Sequence, residues 1–124
     1  MIKVIEDREQ KLVEAQITGF VKPEEVIKVS NEIKATMKHY GPSQAVLLLD
    51  MVGFTPMSNE VLPLLRGLGR DVVSFFRRAA LLQEFSMGFQ GNRKVVEPPP
   101  GYKLPSYPTR EAALSYLFAE DETS

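Results

Sequence analysis

Five apolar residues in unbroken succession, Ala45-Val46-Leu47-Leu48-Leu49, end at Asp50. An amphipathic element would interrupt such a run with polar residues on its wet side. A short run without interruption is what a central strand covered on both faces looks like. It forces a layered architecture, because something apolar must lie above the strand and below it. The flanking sequence supplies that cover. Before the run, Pro23-Glu24-Glu25 marks a helix start, with proline tolerated in the first turn and acids favoured at the positive end of the helix dipole. Val26, Val29, Ile33, Met37 and Tyr40 then recur at three- and four-residue steps up to Gly41-Pro42. After the run, Gly53 to Pro56 reads as a loop. A second helix is predicted from about Ser58 to Phe76, with Val61, Leu64, Leu65, Leu68, Val72, Phe75 and Phe76 on one stripe. Gly67 and Gly69 weaken it by about 1 kcal/mol each relative to alanine, so close packing is expected at these glycines.

The remaining elements follow from shorter signals. Ile2–Ile5 and Leu12–Ile17 are β-favouring runs separated by the charged turn Glu6–Lys11, and together they read as a hairpin. In the second run Glu14 and Gln16 alternate with apolar neighbours, which suits a strand with one wet face. Gly19 breaks it. Ala79–Phe85 reads as another buried strand. Ser86 to Pro108 is rich in Gly and Pro, and within it Lys94–Glu97 or Tyr102–Tyr107 could form an edge strand. A last helix starts after Thr109, a good N-cap, and uses Ala113, Leu114, Leu117 and Phe118 as its buried stripe. Glu120–Ser124 is expected to fray. The expected fold is a single α/β domain over 1–124, with a mixed four- to five-stranded sheet and helices packed against it.

Composition narrows the function classes. At 124 residues the chain can bury roughly two-thirds of the surface its unfolded form exposes, so it needs no disulfide or metal to hold a core. It has no cysteine, which excludes disulfides and thiolate metal sites. Lys and Arg total 15 against 16 Asp and Glu, which gives no electrostatic reason to expect nucleic acid or an anionic membrane. The longest apolar run falls far short of the roughly 20 residues a spanning helix needs. The first residues meet charge too early for a signal-peptide core. A cytoplasmic, soluble chain without cofactors is the expectation.

The element order, together with Val46 to Leu65, resembles the STAS domain, and more closely the bacterial SpoIIAA-like group described as STAS/SEC14-like. The residues carrying the resemblance are Gly19 after the second strand and Leu47-Leu48-Leu49-Asp50. Phe75-Phe76-Arg77-Arg78 ahead of a strand and the helix Arg110-Glu111-Ala112-Ala113-Leu114-Ser115-Tyr116-Leu117 complete it. Regulatory STAS domains carry Asp-Ser-Ser-Gly at the start of the next helix, and the second Ser is phosphorylated. Ser58, Asn59, Glu60 and Val61 stand against those four residues here, so Glu60 replaces the phosphoacceptor. Asp50 alone carries over directly, as a structural or site-lining acid.

Candidate binding residues gather around the loop that follows the central strand. Asp50, Thr55 and Ser58 sit where an open α/β sheet forms a crevice at the carboxyl end of a strand. The plainer reading has Asp50 accepting loop N–H bonds and Ser58 capping the helix. Glu60 places a negative charge at the helix N-terminus. Arg66 and Arg70 share a helix face at i, i+4 and, with Arg77 and Arg78, form either an anion or acidic-partner patch or a solvated face. His39, the only histidine, is explained by the negative end of the first helix dipole, and no catalytic triad can be assembled around it. No catalytic residue is assigned. Three function classes remain: a regulatory or protein-interaction module, a carrier or sensor of a small apolar ligand, and, ranked last, an enzyme. A homodimer is also expected, from apolar residues beside the main stripes (Ile27 and Val73) and from Phe85, Met87 and Phe89 in the Gly-rich segment.

Overall fold

The computed structural model of the chain describes residues 2–56, 60–83 and 101–119. Strands β1 (Ile2–Asp7) and β2 (Leu12–Ile17) pair antiparallel, from Ile2 opposite Ile17 to Asp7 opposite Leu12. The turn closes with Lys11 in the left-handed region at φ 55° and with the Gln10 N–H donating to Asp7 Oδ1 at 3.2 Å. β2 does not keep the wet face expected of it: Leu12, Val13, Glu14, Ala15 and Ile17 are all buried. The reason is its place in the sheet. It is an inner strand, with β1 on one side and the central strand β4 (Val46–Asp50) on the other.

β4 pairs parallel with β2 and with β6 (Arg78–Leu82), and β6 pairs parallel with the two-residue β7 (Ser106–Tyr107). The result is a mixed five-stranded sheet in the order β1-β2-β4-β6-β7. Of the two edge strands proposed for 86–108, Tyr102–Tyr107 narrows to β7, while Lys94–Glu97 lies outside the described residues. Phe85, the expected end of β6, lies outside them too.

The crossovers are helical. Helix α1 (Pro23–Met37) joins β2 to β4, and α2 (Val61–Val72) joins β4 to β6. In α1, Pro23 opens the first turn and Glu25 reaches back to accept from the Lys22 N–H at 3.1 Å. Val26, Val29 and Ile33 are buried as the stripe requires, with Met37 and Tyr40 packed at its margin. α2 begins later than the sequence suggested, at Val61, which leaves Pro63 in the first turn where its missing N–H costs nothing. It also ends earlier. Val73–Phe75 tightens into a 3-10 turn that swings Phe76 into the core. Val73, expected at the surface, is fully buried by that turn.

The strand alternation divides the core in two. Val13, Ala15, Ile17, Leu47, Leu49, Ala79 and Leu81 face α1 and α2, together with Val61, Leu65, Leu68 and Val72. Leu12, Val46, Leu48, Ala80 and Leu82 face the other way, toward helix α3 (Arg110–Leu117), which buries Ala113 and Leu117 against them. Thr109 caps α3 as expected: its hydroxyl oxygen accepts from the Ala112 N–H at 3.2 Å. Phe118 does not join the buried stripe. The helix stops at Leu117, leaving Phe118 39% exposed.

One pairing was not anticipated: Gly53 to Pro56 was read as loop, and Gly19 only as a break after the second strand. Gly19–Val21 (β3) and Phe54–Pro56 (β5) pair in parallel as a separate two-stranded sheet. Gly19 and Gly53 sit at φ +71° and +76°, and the Gly19 N–H donates to the Gly53 carbonyl at 3.0 Å. A Cβ at either would meet nothing within 4 Å, so the positive φ, not crowding, demands glycine.

Candidate functional site

Asp50 ends β4 and lies, by the same alternation, on the α3 side of the sheet with Val46 and Leu48. Its Oδ1 accepts from the Val52 N–H at 3.2 Å, the loop-holding role expected of it. Beside it in register stands Gln16, and Glu14 is opposite Leu48 two pairs earlier, on the same face. Arg110, the first residue of α3, reaches Glu14 Oε1 at 2.5 Å, and Gln16 Nε2–H donates to Glu14 Oε2 at 3.1 Å. Four polar side chains thus meet at the carboxyl ends of β2 and β4, beside the amino end of α3. The hydrogen bond to Glu14 holds the Arg110 guanidinium charged, against desolvation, and the negative fields of Glu14 and Asp50 add to it. Glu14, with 5% of its side chain exposed, is bonded at both oxygens. Such a group is built to hold α3 on the sheet.

The sequence candidates do not converge. Asp50 joins this cluster. Thr55 lies on β5, where its backbone is in register with Phe20. Ser58 lies outside the described residues. Glu60 is exposed just before α2 and makes no side-chain capping bond. Arg66 and Arg70 are exposed on α2, which covers Leu47 and Leu49 and so lies across the sheet from Asp50. The candidate crevice at Asp50 and the arginine patch on α2 are therefore on opposite faces of the sheet. The arginine group also divides. Arg77 Nη2 donates to the Leu117 carbonyl at 3.1 Å and Arg78 Nη1 to the Tyr116 carbonyl at 2.6 Å. They serve the carboxyl end of α3, not that of α2.

Sequence reasoning missed Glu14 and Arg110. The signal was an acid inside the otherwise apolar Leu12-Val13-Glu14-Ala15, together with a cation directly after the Thr109 cap. It also misread His39. The Glu6 carboxylate accepts from Tyr40 Oη at 2.7 Å and from Arg8 Nε at 3.2 Å, and His39 Nδ1 lies 2.9 Å from it. His39 therefore answers to a carboxylate more directly than to a helix dipole. Among the described residues no group of three or more His, Cys, Asp or Glu could hold a metal ion, and no helix is long and apolar enough to cross a membrane.

On the opposite face a groove of about 220 Å³ runs between α1 and α2. Val26, Ile27 and Lys34 line it from α1, and Leu64, Gly67 and Asp71 from α2. The close packing expected at Gly67 is absent, since a Cβ there would meet nothing within 4 Å. The missing side chain leaves a notch instead. Ile27 stands on the rim, 51% exposed. No family profile, curated protein or solved structure matches this chain.

Proposed function

We propose that the chain is a non-enzymatic regulatory module of STAS type, acting by protein contact through the α1–α2 groove, and that a second copy of the chain is its first occupant. The observation that carries this reading is a projection and a notch on one surface: Ile27 half-exposed on α1 and Gly67 open on α2. A twofold contact sets each copy's projection into the other's notch, as an isologous interface requires. Lys34 and Asp71 supply charges of both signs on the same lining, so the surface is also complementary to itself in charge. Exposed large apolar side chains next to a groove mark interaction surfaces more often than isolated ones do. In this reading Glu60, exposed at the start of α2, is a fixed negative charge in the place of the STAS phosphoacceptor, and the contact is set by concentration instead of by a kinase.

Sedimentation velocity over a wide concentration range tests it. The wild-type chain is expected to be a dimer at tens of micromolar. Ile27→Asp and Gly67→Leu, both at positions with room for the change, are expected to be folded monomers by circular dichroism. A wild-type monomer at that concentration, or variants that still dimerise, would sink the second copy as occupant of the groove.

A further inference from the structure

A second concavity, sharing no residue with the groove, lies where β6 begins and α3 ends. Arg77, Arg78, Gly101, Tyr102, Lys103 and Tyr116 line about 360 Å³, within the range of small-molecule sites. Its walls are set by bonds to the backbone. Tyr102 Oη donates to the Phe76 carbonyl at 2.8 Å, and the two guanidinium groups donate to the last carbonyls of α3. Arg78 lies over the Tyr116 ring, 5.1 Å from its centroid, and Tyr116 packs against Tyr107 at 5.8 Å. Lys103 is exposed at the mouth. Among the described residues the lining holds three cations and two phenol rings, with no carboxylate.

Capping α3 accounts for the direction of the two arginines. It does not account for Lys103 or for the aromatic walls. We infer that this pocket binds a small organic anion: a phosphate or carboxylate group held by Lys103 at the mouth, and a flat ring lying against Tyr102 or Tyr116. Ammonium and guanidinium groups recognise such oxyanions through charge-assisted hydrogen bonds, and rings stack on tyrosine and guanidinium planes. Because the walls are fixed before a ligand arrives, little ordering cost opposes binding.

Isothermal titration of the full chain tests the inference, with phenyl phosphate, benzoate, inorganic phosphate and phenol as probes. Phenyl phosphate is expected to bind, more weakly as salt is raised, and to shift the tyrosine ring resonances of Tyr102 or Tyr116. Benzoate binding alongside it identifies the site as general for oxyanions, whereas phenyl phosphate alone identifies it as a phosphate site. Inorganic phosphate and phenol are each expected to bind at least about tenfold more weakly, the loss of one good contact. Lys103→Glu, at an exposed position, is expected to keep the melting temperature and lose at least about tenfold in affinity. Inorganic phosphate binding as tightly as phenyl phosphate would overturn the ring-bearing ligand. No heat from phenyl phosphate at millimolar concentration, or unchanged affinity in Lys103→Glu, would overturn the site.

Discussion

The two faces of the sheet are held by different physics. On one, α1 and α2 bury Val26, Val29, Ile33, Val61, Leu65, Leu68 and Val72 against the strands, and the two helices are attached chiefly by apolar contacts. On the other, α3 has eight residues and buries only Ala113 and Leu117 completely. A helix shorter than about 12–15 residues is marginal without tertiary support. Polar contacts at both ends of α3 supply it: Arg110 to Glu14 and the Thr109 cap at one end, Arg77 and Arg78 to the last carbonyls at the other. A large apolar stripe lets a helix dispense with such anchors, and a short helix depends on them.

Adjacent residues on β4 break or sharpen this comparison most directly. Leu48 and Leu49 are both fully buried and point to opposite faces. Leu49→Ala is expected to cost about 4 kcal/mol, and Leu48→Ala about 2–3 kcal/mol because the short α3 can settle into the space left. Urea denaturation of the two variants measures the difference. Equal costs would mean that the α3 face is as rigidly packed as the other. The next largest effect belongs to the polar anchor. Arg110→Ala is expected to destabilise by about 2–3 kcal/mol, the value of a charged hydrogen bond to a buried acid. Arg110→Ala combined with Glu14→Gln should cost less than the sum of the two. Additive costs would show that the pair is not coupled. Hydrogen exchange should then find α3 opening before α1 or α2 in the Arg110 variant.

The α1–α2 face was the more legible one, for a physical reason. Apolar periodicity reports burial of side chains one helix at a time, and Val26, Val29, Ile33, Leu65 and Val72 carry it openly. The β1–β2 hairpin, the central strand and the Thr109 cap were legible on equally local grounds: a charged turn, an unbroken apolar run and a capping hydroxyl. What stayed hidden depends on partners distant in sequence. Glu14 looked like a solvent-facing residue because its cover, Arg110, comes from the far end of the chain. The β3–β5 pairing was missed, and Gly53 to Pro56 read as loop, because three-residue strands show no period. Asp50 and Arg70 were both candidate binding residues, and nothing in a linear reading says which side of the sheet each falls on. The mixed α/β sheet was legible from the same apolar runs, and the structure shows it with five strands.

Gly67 offers a smaller effect, of opposite sign. Glycine within a helix costs about 1 kcal/mol relative to alanine, and the space beside Gly67 is open. Gly67→Ala is therefore expected to raise the stability of the monomer by about 0.5–1 kcal/mol, measured by denaturation at low protein concentration. A lower stability would show that something packs at the notch within a single copy, and would remove the open notch from which the dimer was argued.

The smallest effect concerns whether the apolar face has a polar anchor of its own. Glu6 follows Ile2 and Val4 on the side of β1 that meets α1, and ties the hairpin to Tyr40 just beyond that helix. Burial pushes the Glu6 carboxyl up, but hydrogen bonds from Tyr40 and His39 and the charges of His39 and Arg8 outweigh it, leaving it below its ordinary 4.5. The folded chain then holds this proton less tightly than the unfolded one. Its contribution is fully present above pH 4.5 and is lost as the pH falls through the lower, folded value. The Tyr40 hydroxyl behaves in the opposite sense. Burial first, then the hydrogen bond and charge of Glu6, push it up to about 12 from 10, so its contribution holds below pH 10 and is lost as the pH rises toward 12. Glu6→Gln keeps an acceptor for Tyr40 and removes the charge. The stability gap between wild type and this variant should be largest near neutral pH, within the 0–1 kcal/mol common for surface pairs, and should shrink below pH 4.5. A gap that stayed constant through the acid range would mean that the cluster works by shape alone, and that α1 is held on its face without help from charge.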